Sequence, residues 1–128
     1  MNILGIDFGL KKIGLAIGSG EVIYPYKVVS EKELFSEILK ICQEEEIKEI
    51  VIGIPSEKLK KDVLEFARKI AKKTKLPIFY VDETLTSKEA IAKMIAAGIR
   101  RKKRRKKEDA FAAALILEKF LEERRQGV

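Results

Sequence analysis

Three places along the chain set a carboxylate where an element is expected to end or begin, and these are the residues with which the sequence could do chemistry. Asp7 closes a β-rich opening whose other members, Ile3, Leu4 and Ile6, are apolar. Asp82 and Glu83 follow the apolar run Ile78-Phe79-Tyr80-Val81, and Asp109 stands at the head of a helical pattern. Open α/β sheets place ligands beyond the ends of their strands. Each acid also has a plain structural use. Asp7 could form a turn ahead of Gly9, and Asp109 could simply complement a helix dipole. Pleating sends the side chains of Asp82 and Glu83 to opposite faces, so only one of them can turn toward such a site.

The rest of the composition narrows the chemistry. Histidine is absent and there is one cysteine, Cys42. Zinc sites of the Cys/His kind are therefore excluded, and Cys42, on the apolar side of a helical pattern, reads as a buried, inert thiol. Acid–base or metal work falls to carboxylates, Lys, Tyr or water, and a set of oxygen ligands favours Mg2+ or Mn2+. Carboxylates gathered at one end of a sheet repel one another unless a cation sits among them. Two divalent ions about 4 Å apart could then activate water and stabilise the leaving oxygen of a phosphodiester.

Charge points to the same kind of substrate. The chain of 128 residues carries a net charge of +7. Arg100, Arg101, Lys102, Lys103, Arg104, Arg105, Lys106 and Lys107 are consecutive, and outside this run 19 basic residues face 20 acidic ones. The excess is thus local. Such a run repels itself and reads as a solvated loop between two helices, a mobile arm for a polyanion. Lys11 and Lys12 could touch phosphate or serve as ordinary surface charge. Tyr24 and Tyr26, alternating along a strand, could stack on bases, although β packing is the favoured reading.

Elements must position these groups, and the pattern supplies them in the order β-β-β-α-β-α-β-α-α. Asn2–Phe8, Lys12–Gly18 and Glu21–Val29 read as strands joined by tight turns. Ser30 and Glu33 look like a capping box opening a helix with Leu34, Ile38, Ile41 and Cys42 on one stripe. Lys48–Ile54 and Pro77–Val81 are short apolar runs of the kind found in buried strands. Between them Val63, Phe66, Ala67 and Ile70 recur at helical spacing. Thr86 and Glu89 suggest a second capping box, with a helix ending near Gly98. The last helix is expected to start near Glu108, with Ala113, Ile116, Leu117, Phe120 and Leu121 inward. The whole predicts one α/β domain over residues 1–128, a mixed five-stranded sheet with helices packed on it. No run approaches the length of a membrane span and no basic, apolar leader opens the chain, so a cytoplasmic location is expected.

Four segments together carry a family resemblance. Ile3-Leu-Gly-Ile-Asp7-Phe-Gly9-Leu-Lys-Lys-Ile13-Gly14-Leu-Ala16 resembles the first strand pair of the YqgF (RuvX-like) proteins, also described as Holliday junction resolvases, of ribonuclease H-like fold. Ile50-Val-Ile-Gly53-Ile-Pro55 looks like their Val-Gly-x-Pro strand. Val81-Asp82-Glu83-Thr84-Leu85-Thr86-Ser87-Lys88-Glu89-Ala90 resembles their Val-Asp-Glu-Arg-x-Thr-Thr-x-x-Ala segment. The basic run with Asp109-Ala110-Phe111-Ala112-Ala113-Ala114-Leu-Ile116-Leu117 is similar to their final helix. The resemblance implies a Mg2+- or Mn2+-dependent nuclease with Asp7, Glu83 and Asp109 as catalytic metal ligands. It implies nucleic acid as partner: precursor small-subunit (16S) ribosomal RNA cut at its 5′ end, with four-way DNA junctions as the alternative. A monomer or weak homodimer is expected. Two departures stand out: Thr84 replaces the family's Arg, removing a phosphate fork, and Ser56-Glu57-Lys58-Leu59 follows Pro55 without the glycine turn common there.

Two other classes remain in view. Actin-like and sugar-kinase-like ATPases also carry Asp-x-Gly after a first strand, but close two related domains over the nucleotide. A nucleic-acid module that has lost turnover would keep every feature above except cleavage. The basic run itself is testable. Replacing Arg101, Lys103, Arg105 and Lys107 by Ser should leave the fold intact and weaken binding to all sequences alike. The log–log salt slope on duplex DNA should fall by about 3 to 4 units if each residue neutralises one phosphate. Affinity for one oligonucleotide at several salt concentrations measures this, and an unchanged slope would reduce the run to a solubility device.

Overall fold

The computed structural model describes residues 2–8, 12–20, 22–54, 57–82 and 101–127, with side chains of the last segment from Ala110 onward. Its strands are β1 (Asn2–Phe8), β2 (Lys12–Ser19), β3 (Val22–Ser30), β4 (Ile47–Ile54) and β5 (Ile78–Asp82). Three helices are described: α1 (Glu31–Glu44), α2 (Glu57–Thr74) and α3 (Arg101–Arg125). The strands form one sheet in the order β3-β2-β1-β4-β5. β1 pairs antiparallel with β2 and parallel with β4, and β4 pairs parallel with β5. β1 is therefore central, and its uninterrupted apolar run suits a strand covered on both faces.

Pleating divides the core in two. Leu4, Ile6 and Phe8 point to one face, where they join Leu34, Ile38 and Ile41 of α1 and Val63, Ala67 and Ile70 of α2. Ile3 points to the other, with Val51, Val81 and Ala113, Ile116, Leu117 and Phe120 of α3. The inward stripes are those the helical spacing predicts. The middle of α3 is more deeply set than one stripe, because Ala112, Ala113, Ala114, Leu115, Ile116 and Leu117 are all buried. A helix apolar all round belongs in an interior.

α3 runs antiparallel to β1. Its C-terminal end lies by the start of β1: Arg124 grips Glu49 with two bonds of 2.9 and 2.8 Å, and Glu49 is the pairing partner of Ile3. The same guanidinium lies over the rings of Phe120 (4.5 Å) and Phe79 (5.5 Å). Further along, Leu117 and Ala113 press on Gly5. A Cβ at Gly5 would stand 2.6 Å from Leu117 Cγ and 3.0 Å from the Ala113 carbonyl oxygen.

Two sequence readings are corrected. The basic run was expected to be a loop, with the last helix starting near Glu108; the helix instead begins at Arg101 and takes in Arg101–Lys107. Arg and Lys are good helix formers, and once the apolar half is docked, extending the helix needs no new nucleus. Ser30 does sit at the N-cap of α1 with extended backbone, but its side chain makes no capping hydrogen bond, so the capping box does not form. The helix expected between Thr86 and Gly98 lies outside the described residues. After β4, α2 starts at Glu57.

The sheet edges are guarded. β3, at one edge, exposes Val22, Tyr24 and Tyr26, and Pro25 removes a backbone donor there. Lys27 turns back to α1 and donates to Glu37 at 2.6 Å. Tyr26 is held above the usual phenol range by partial burial and by neighbouring Glu45. Cys42 is half-buried against the α1/α2 core, and burial pushes its thiol up to about 11, which matches the inert reading. No described helix is long and apolar enough to cross a membrane.

Two expectations follow from this packing. Gly5→Ala should cost about 1–3 kcal/mol, because its methyl meets helix backbone as well as a side chain; urea denaturation would read it, and a neutral result would mean that α3 can lift off β1 freely. Glu49 is held below its ordinary value of 4.5 by the Arg124 hydrogen bonds. A depressed carboxyl stabilises the fold above its unfolded pKa and loses that contribution as pH falls through the folded one. Glu49→Gln should therefore lower stability by about 0.5–1 kcal/mol at neutral pH, discounted for the solvent around Arg124. The difference from the parent should shrink below about pH 4.5. Thermal melts from pH 3 to 7 check both signs.

Candidate functional site

Asp7 is the one charged residue among the buried described side chains, 7% exposed at the C-terminal end of the central strand. A carboxylate is kept in such a place only with partners or a cation, since burial penalises its charge. It lies on the α3 face of the sheet, shown by its cross-strand partners: Gly14 on β2, Gly53 on β4, and beyond Gly53 the α3-facing Val81. Neither immediate neighbour carries a side chain.

The antiparallel course of α3 carries its N-terminal half toward the same end. Ala113 is level with Gly5. Asp109 lies one helical turn earlier, about 6 Å along the axis, and Asp7 lies two strand residues beyond Gly5, about 6.6 Å. The backbone of Asp109 is thereby brought to the level of Asp7, although its side chain lies outside the described residues. Glu83 is also outside them, and the described part of β5 ends one residue earlier at Asp82. Asp82 pairs with Ile54, which packs toward α1 and α2, so it is on the face opposite Asp7. Lys119 of α3 donates to the Asp82 carbonyl oxygen at 2.9 Å, tying the last turns of the helix to the end of β5.

Of the basic residues singled out, Lys12 is exposed at the start of β2, two residues before Gly14 and hence on the Asp7 face. Lys11 and Arg100 lie outside the described residues. Arg101, Lys102, Lys103, Arg104, Arg105, Lys106 and Lys107 form the N-terminal turns of α3, with backbone described and side chains not. Among the described residues no three acidic, His or Cys side chains are grouped to hold a metal. The chemistry of the one described donor still suits a hard cation: Asp7 is an anionic oxygen ligand held buried.

Sequence reasoning did not single out Gly14 and Gly53 as flanking Asp7. Both lie in quoted motifs, but only the register of three strands sets them side by side. It also did not anticipate a groove of about 460 Å³ between α1 and α2, reached from Phe8, Phe35, Phe66 and Lys69. Glu31, Asp62 and Glu65 line it together with Lys69.

Comparison with known proteins agrees with this architecture. The family model described as "RuvX: Holliday junction resolvase" matches residues 1–123. A protein of Maridesulfovibrio salexigens named "Putative pre-16S rRNA nuclease" is 39% identical over 94% of this chain and 98% of its own. Among solved structures, the fowlpox virus Holliday junction resolvase aligns with a TM-score of 0.62 at 12% identity, over 96% of this chain and 99% of that one. Thermus thermophilus RuvC in complex with a Holliday junction substrate aligns with a TM-score of 0.59 at 18% identity, over 91% of each chain. At such identities the two structures speak for the shared ribonuclease H-like fold alone. The sequence match decides the family: this chain belongs to the RuvX family of nucleases, which act on phosphodiester bonds.

Proposed function

We propose that this nuclease cuts precursor small-subunit ribosomal RNA in the cytoplasm, as a monomer or weak homodimer, with Asp7, Glu83 and Asp109 holding Mg2+ or Mn2+. The observation that carries the reading is the burial of Asp7 at the end of the central strand between two glycines. Divalent ions held there would supply an activated water and neutralise charge on the leaving oxygen. The chain's own part is positional. Asp7 is held rigidly by a strand paired on both sides, and rigid elements place ligands better than loops. Asp109 rides on α3, whose position is set by Gly5 and by the Arg124 clasp. Lys12 and the cations of Arg100–Lys107 draw the phosphate backbone to this end of the sheet without reading its sequence.

A four-way DNA junction is the second reading. It is favoured by the family description and by the likeness to a resolvase solved on such a junction. Symmetric junction cutting needs two sites, hence a dimer on the substrate. Incubating the purified protein with precursor ribosomal RNA and with a four-way junction, each with Mn2+, Mg2+ or EDTA, decides the substrate. Cleavage of neither substrate in any metal would leave a binding module.

Asp7→Asn tests the site. It removes a negative ligand and nearly preserves shape. Cleavage should fall at least about a hundredfold, the scale on which losing one preorganised electrostatic group registers, while nucleic-acid affinity persists. The thermal midpoint in EDTA should hold or rise, because a buried anion is removed. Undiminished cleavage by this variant, in a preparation free of other nucleases, would take Asp7 out of the mechanism.

A further inference from the structure

α2 is a cationic helix with an anionic side. Its 18 residues include six Lys and one Arg against three acids, Glu57, Asp62 and Glu65. Two of those acids nevertheless lie on the stripe that faces α1. Asp62, Glu65, Phe66 and Lys69 recur there at i, i+3, i+4 and i+7 and line the groove between the helices. α1 contributes Glu31 and Phe35, one turn apart. Glu31 has a local reason to be acidic, being in the first turn of its helix, where the dipole favours an anion. Asp62 and Glu65 lie beyond the first turn of α2 and have no such reason. Even with Lys69 set against Glu65 as an i, i+4 pair, two carboxylates of the groove are left over. Between the carboxylates the lining is aromatic. The rings of Phe8 and Phe66 stand 5.5 Å apart. Both belong to the α1/α2 core, whereas Phe35 is 37% exposed on the α1 side of the groove. The space of about 460 Å³ is of the size that ligand pockets have.

We propose that the groove between α1 and α2 docks a basic segment of a partner protein, in which arginine or lysine alternates with apolar residues. A long cationic side chain matches both halves of the lining. Its methylenes lie along Phe35 and Phe66, and its charged head reaches Asp62 and Glu65. An arginine adds the fork that pairs with a carboxylate through two bonds. An anionic ligand would meet three carboxylates and one ammonium, so charge favours the basic segment. The inference does not rest on the cleavage reading, since none of these residues is proposed as a metal ligand.

The probe is a capped, fluorescein-labelled peptide of alternating leucine and arginine, titrated with the full chain and followed by anisotropy. Peptides of alternating serine and arginine, and of alternating leucine and glutamate, are the controls. The parent is compared with Phe35→Ser and with the double variant Asp62→Asn with Glu65→Gln. All three positions are exposed, so the melting midpoints should stay near the parent's. The leucine–arginine peptide should bind the parent more tightly than either control. Each variant should weaken it about fivefold or more, the scale on which truncating an important interface residue registers. Backbone-amide resonances shifted by the peptide should centre on α1 and α2 around Phe35 and Phe66. Shifts centred on another surface, or parent-like affinity in both variants, overturn the docking site. Equal affinity for the serine–arginine peptide removes the aromatic half of the match and overturns it as well. Shifts in this groove caused by a single-stranded RNA oligonucleotide, with none caused by the peptide, would assign the surface to nucleic acid and overturn the proposal.

Discussion

The approach of α3 to β1 at Gly5 is the contact on which the rest of the arrangement depends. With no side chain at Gly5, Leu117 and the backbone of Ala113 settle directly on the central strand. A helix seated this closely cannot slide by a residue without a clash or a void, and interiors tolerate neither. Its direction and its level along β1 are therefore fixed together. One end is clasped where Arg124 meets Glu49, Phe79 and Phe120. The other end is carried to the edge where Asp7 lies. A single absent methyl thus links the packing of the core to the level at which α3 passes the end of the central strand.

The same edge gathers favourable electrostatics for a polyanion. β1, β3 and β4 all finish there, α1 and α2 begin directly after β3 and β4, and α3 also has its N-terminal end there. Three helix N-termini thus bring the positive ends of their dipoles to one side of the molecule. α1 and α2 answer with Glu31, Glu33 and Glu57 in their first turns. α3 has no acid in its first turn and opens instead with seven cations. That helix end runs against its own dipole and against mutual repulsion, and both costs fall when a phosphate backbone lies beside it. The groove between α1 and α2 is lined by Glu31, Asp62, Glu65 and Lys69.

Much of this was legible in the chain itself. Alternating and continuous apolar runs marked all five strands to within about two residues, because burial leaves a period that sequence must respect. The inward stripes of the helices were legible for the same reason. Asp7 could be singled out from its place at the end of the first strand, and the four motifs in order identified the family before any contact was known; Asp109, expected at the head of the last helix, instead lies about two turns inside α3. The absence of histidine, with only one cysteine, by itself restricted any metal to hard, oxygen-bound ions. What local pattern could not decide was anything set by a partner distant in sequence. The basic run looked like a loop because eight like charges repel, whereas Arg101–Lys107 continue a helix whose apolar half is anchored on β1. The capping box at Ser30 had the right letters, but a side chain's hydrogen bond depends on geometry that letters do not carry. Gly14 and Gly53 were two unremarked glycines until strand register set them on either side of Asp7. Register belongs to pairs of strands, and it is fixed only when the whole sheet closes against its helices.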